Sequence, residues 1–230
     1  MKLTKRLIPA FAMLLVSAVL MSTASFAWFS MNTNVTATGM NVTAKTDAIF
    51  LEIKGTSDSD FGVTGTAGLN ADLYPVAHET FSSISDVATP GKWYYQYSND
   101  PSNYQAAPTS EKKALGAFDN YVATTTYSVK LNDSSVDTAY DLYVSAISIP
   151  ENKGITVVIV GANGYQEFRT SSNKIDFAAG NVLADTVTKT EQSVTVYIYF
   201  DGNNQNVFSN NLAALTGSIE FTLTASGADN

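Results

Sequence analysis

Strict alternation of apolar and polar side chains is the feature that most limits what this chain can fold into. In residues 218–225 (SIEFTLTA) every second position is apolar, so Ile219, Phe221 and Leu223 share one face of an extended strand. Residues 193–200 repeat the period, with Val194, Val196, Ile198 and Phe200 on one side and Tyr197 and Tyr199 on the other. Tyr127, Val129 and Leu131 alternate with polar residues, as do Leu142, Val144 and Ala146. Residues 155–160 (ITVVIV) form an almost unbroken apolar run, which suits a strand buried on both faces. Turn residues close these segments at 132–135 (NDSS) and 201–204 (DGNN). A period of two repeated this often predicts an all-β, single-domain β-sandwich of jelly-roll-like character.

Helices have little room in this pattern. Residues 110–118 (SEKKALGAF) predict about two helical turns behind a Thr109–Ser110 cap, and 211–215 predict one more, both within loops. Residues 56–120 are rich in Gly, Ser, Asp and Pro and read as long connections carrying a few short strands.

Composition removes several chemistries. The chain has no Cys, hence no disulfide, no thiolate zinc site and no Cys nucleophile. Its one histidine, His78, is the only base around which a His-dependent triad could form. The net charge is −8 with no basic run, which argues against nucleic acid as a partner.

The first 27 residues have the layout of a secretory leader. Lys2, Lys5 and Arg6 precede an apolar run from Leu7 to Leu20, and Ser25 and Ala27 are the small residues of a cleavage site. Signal peptidase is therefore expected to cut between Ala27 and Trp28. The product would be secreted, extracellular or held at the cell surface, with no membrane contact after processing. Cleavage takes away three basic residues and no acidic one, so the net charge moves from −8 to −11.

The new end is itself amphipathic. Phe29, Met31, Val35 and Ala37 fall on one face of an extended segment 28–38, and Ser30, Asn32, Asn34, Thr36 and Thr38 fall on the other. Such a strand has two fates. It can pair within its own domain, or it can add to a sheet of the next molecule, where repetition head to tail yields an open fibre. In the second case the receiving groove would be lined by the apolar faces of 194–200 and 219–223. Gly39 follows, and Met40, Val42 and Ala44 continue as a strand whose parity has changed by Leu51 and Ile53, which predicts a turn or bulge near Thr46.

Residues 23–29 (TASFAWF) and 35–44 (VTATGMNVTA) together resemble the start of secreted proteins of the TasA and camelysin type, whose leaders are cut by a SipW-like peptidase. The resemblance covers about 25 residues. It implies a jelly-roll subunit of an extracellular biofilm-matrix fibre, self-associating through N-terminal donor strands.

Other candidate sites rest on single short segments. Asp58 and Asp60 in TSDSDFG, and Asp201 with Asn203 and Asn204, offer hard oxygen ligands for calcium, although Asp, Asn and Gly are equally the residues of solvated turns. Trp93, Tyr95 and Tyr97, in the aromatic cluster WYYQY, could present a surface for sugars or another partner, or could simply be strand core. No Gly-x-Ser-x-Gly element accompanies His78. The sequence therefore predicts a structural protein with no cofactor and no enzymatic role, a subunit of a bacterial matrix or surface fibre. The alternative is a secreted carbohydrate- or surface-binding sandwich module.

Overall fold

The computed structural model describes residues 41–46, 51–68, 73–95, 113–119, 121–135, 140–149, 154–171, 174–175, 182–204, 207 and 218–227. Within them the chain is an all-β sandwich. Its strands are β1 (Asn41–Thr46), β2 (Leu51–Lys54), β3 (Thr64–Gly68), β4 (Val76–His78), β5 (Trp93–Tyr95), β6 (Ala123–Leu131), β7 (Tyr140–Ser148), β8 (Ile155–Val160), β9 (Tyr165–Ser171), β10 (Lys174–Ile175), β11 (Gln192–Phe200) and β12 (Ile219–Gly227). One sheet has the order β3-β1-β12-β7 and the other β10-β9-β8-β11-β6-β2. All their pairings are antiparallel except that of β1 with β12, which is parallel.

The two sheets meet through the faces that the alternation marks out. Val42, Ala44, Ile219, Phe221 and Leu223 of the four-stranded sheet pack in one core with Tyr127, Val129, Val194, Val196, Ile198 and Phe200 of the six-stranded sheet. Non-directional burial of this apolar surface is the dominant favourable contribution to such a fold. The predicted groove faces of 194–200 and 219–223 are both buried in this core. Strand β7 departs from its predicted parity. Its register against β12 breaks between Thr222 and Leu223, and beyond that bulge Ile147 and Ile149 are buried while Ala146 is exposed. Strands β1 and β2 belong to different sheets, so the parity change predicted near Thr46 accompanies a passage between layers.

A third layer covers the outer face of the six-stranded sheet. Strands β4 and β5 form a hairpin, joined by α1 (Ile84–Val87) and a 3-10 turn (Pro90–Lys92). Val76, Phe81, Val87, Trp93, Leu115 and Val122 of this cap bury Val158, Val160, Tyr197 and Tyr199. The cap explains why β8 is buried on both faces, and why Tyr197 and Tyr199 are buried as well as their apolar neighbours. Within the predicted helix 110–118 the described residues, 113–118, are not helical, and Ala114 bridges to Tyr94 of β5. Lys113 accepts from the Tyr95 amide at 3.1 Å, and the Leu115 amide donates to Trp93 at 2.7 Å. Pairing with β5 and burial of Leu115 override the local helix propensity. The short helical turns lie instead at 84–87 and 90–92. The predicted turn at 211–215 lies outside the described residues.

Candidate functional site

Among the described residues, a dense polar cluster joins the cap to the six-stranded sheet. Strand β4 ends at His78, whose ring stacks on Phe81 with centroids 3.9 Å apart and meets the edge of Trp93 at 4.9 Å. Its Nδ1 lies 2.7 Å from the Glu79 carbonyl oxygen, which can only accept, so Nδ1 carries a proton. Its Nε2 lies 2.9 Å from the Tyr199 hydroxyl oxygen. Glu167 Oε1 sits 3.3 Å from the same nitrogen and 3.1 Å from the Tyr199 oxygen.

Strand parity assembles the rest. Glu167 and Arg169 are two apart on β9, and Tyr199 and Asp201 are two apart at the end of β11, so all four face the cap side of the sheet. Arg169 places Nη2 2.7 Å and Nε 2.8 Å from Glu167 Oε1, and Nη1 3.6 Å from Asp201 Oδ2. Burial pushes the Glu167 carboxyl up, but the His78 hydrogen bond and the Arg169 charge outweigh it and hold the group below the ordinary glutamate range. Burial raises Asp201, and burial together with the Glu167 charge raises the Tyr199 phenol well above its usual value.

These groups saturate one another. The His78 side chain is 6% exposed, and the one hydroxyl it contacts, Tyr199, is buried with its pKa raised. Here the arrangement pins β4 to β9 and β11, a polar rivet under an aromatic lid. Sequence reading singled out His78 but not its partners, because Glu167 lies 89 residues away and no local pattern joins them.

The calcium candidates are not brought together. The Asp58 carboxylate accepts from the backbone amides of Gly55 at 2.8 Å and Thr66 at 2.7 Å, closing the outer side of β3. Asp60 is exposed and accepts from the Ser59 hydroxyl. Asp201 lies at the far end of β11 and accepts from the Asn203 amide at 2.9 Å. Among the described residues no group of three His, Asp or Glu converges as a metal site.

The proposed aromatic surface needs correction at Trp93. That ring is 0% exposed, and its Nε1 donates to the Val87 carbonyl at 3.0 Å inside the cap. Tyr95 is half-buried and meets Tyr121 edge-on at 74°, while Tyr121 is tilted 43° from the exposed Tyr74. These rings make no flat platform. Tyr97, the cleavage junction Ala27–Trp28, and Phe29, Met31, Val35 and Ala37 lie outside the described residues.

The sheet edges differ in how they are finished. Ile53 of β2 exchanges two backbone hydrogen bonds with Gly62, and Asp58 and Ser57 cover β3. Strand β10 has two residues, a length that offers little to a neighbour. Strand β7, nine residues long, bounds the four-stranded sheet among the described residues. No family model, no curated protein and no solved structure matches this chain.

Proposed function

We propose that this chain is an extracellular structural protein, a subunit of a bacterial matrix or surface fibre built by strand addition from its N-terminal segment. The observation that carries the reading is the position of β1. Both sides of β1 are occupied, by β3 and by β12. Only Gly39 and Met40 separate the amphipathic segment 28–38 from the start of β1. A link of two residues serves a hairpin to an adjacent strand, whereas passing to a further position in a sheet takes a much longer connection. Both flanks of β1 are thus taken, and an open sheet edge of another copy would offer the segment a pairing partner. The leader-like residues 1–27 and the resemblance carried by 23–44 support the same reading. Backbone pairing between copies would supply affinity, and Phe29, Met31, Val35 and Ala37 would supply register.

The test compares processed protein with a form lacking residues 28–38. The intact protein is expected to form fibres by electron microscopy as concentration rises, and the shortened form to remain a folded monomer. Normal fibres from the shortened form would overturn the strand-addition mechanism. An intact protein that stays monomeric at every concentration would overturn the fibre reading itself.

A further inference from the structure

We infer that the receiving edge is the outer side of β7 from Val144 onward, with Ile149 just past its end, and that Gln166 is its stopper in the unassembled subunit. This rests on the fibre reading and names the site of contact. The occupant is segment 28–38 of a second copy.

The backbone pattern of β7 sets the argument. At Leu142 the outward amide donates to Ala184 at 2.8 Å, and the Leu183 amide donates back to Leu142 at 2.6 Å. That single bridge closes one end of the edge. At Val144, the next outward position, the partner is a side chain. The Gln166 amide oxygen, from β9 of the opposite sheet, accepts from Val144 N–H at 2.8 Å. Gln166 is 5% exposed, so a buried side-chain amide is performing a strand's role across the sandwich. Buried backbone donors are almost always paired, and here the pairing is improvised.

Beyond Val144 the bulge at Ser145 adds one residue, and Ile147 and Ile149 take over the inward side-chain positions. In an antiparallel strand the residues that face one side chain-wise also direct their N–H and C=O to one edge. Ile147 therefore turns its backbone groups outward, and among the described residues no strand lies beside it. A stretch of six residues is about 20 Å long, within the reach of the eleven-residue donor segment. Ile147 and Ile149 are spaced by two, as are Phe29 and Met31, and Val35 and Ala37. A donor strand beside β7 would place those apolar residues on the core side and Asn32, Asn34 or Thr36 on the outer side, beside Ala146. Its carbonyl would take the Val144 amide from Gln166.

The absence of cysteine makes the test clean. Ala146→Cys in one preparation is mixed with Asn32→Cys, Asn34→Cys or Thr36→Cys in another, and oxidised under fibre-forming conditions. Thr66→Cys on the outer face of β3 is the control edge. At least one Ala146 pairing is expected to give disulfide-linked dimers at a yield at least tenfold above any Thr66 pairing. Equal or greater linkage at Thr66, or fibres without linkage at Ala146, would overturn the edge assignment and leave the fibre reading intact. Neither fibres nor linkage would sink both. A chain carrying both substitutions that links only within itself would also overturn the assignment. Separately, Gln166→Leu is expected to shorten the lag before fibres several-fold, and an unchanged or longer lag would remove Gln166 from the mechanism.

Discussion

The core between the two sheets and the core beneath the cap are built by different means. Between the sheets, long strands with a period of two set Val, Ile, Leu and Phe against each other, with Tyr127 as a cross-tie. Its hydroxyl donates to the Val42 carbonyl on β1, and burial raises its pKa. Beneath the cap, strands of three residues and one helical turn bring in Trp93, Phe81, His78 and Tyr199, whose rings meet mostly edge to face. Repetition along the strands specifies the first. The second depends on a few large rings and on the charges gathered around Glu167. A sheet can therefore carry one face that tolerates gradual change and another that depends on particular residues.

The largest expected effect separates the two cores. Phe221→Ala should lower stability by about 3–5 kcal/mol in urea titration, the usual cost of removing a buried phenyl ring. Phe81→Ala removes the same group from the cap, and its loss of amide-exchange protection should be confined to residues 76–95 and 113–122. Equal loss of protection in β12 would show that the two cores melt as one unit.

Acid should distinguish them next. The Glu167 pKa is lowered in the folded state, so its contribution is present above the ordinary value of 4.5 and is lost as pH falls through the folded value. Asp201, raised by burial, acts in the opposite sense. Glu167→Gln should cost about 1.5–3 kcal/mol at pH 7, as expected for hydrogen bonds to a charged group, and should flatten the loss of stability below pH 4.5. An unchanged acid limb would mean that the rivet does not contribute to acid sensitivity. Smallest is Tyr127→Phe, expected to cost about 1 kcal/mol with no change in pH dependence between pH 5 and 8.

This contrast also explains what the sequence revealed. The faces of β6, β11 and β12 were legible because a two-residue period survives in the order of residues, and β8 because its run is uninterrupted. Ala146 was misplaced because a bulge leaves no mark in residue order. The cap was read as connection because its strands are too short to show a period, and 113–118 as helix because its partner, β5, lies about twenty residues earlier. The aromatic segment was correctly seen as dense, but whether Trp93 faces water or core depends on the layer above it. His78 stood out by rarity, while Glu167, Arg169 and Tyr199 are ordinary residues until strands distant in sequence set them side by side.

The parallel pairing of β1 with β12 has a mechanical consequence. The two strands start at the same end, and five residue pairs, from Val42 with Ile219 to Thr46 with Leu223, bind them along their length. Tension entering ahead of β1 and leaving after β12 would pull them past each other along their axes. All the rungs would share that load together, whereas force applied across the strands would peel the rungs apart singly. A subunit held at those two points would meet its pull in the direction of greatest resistance.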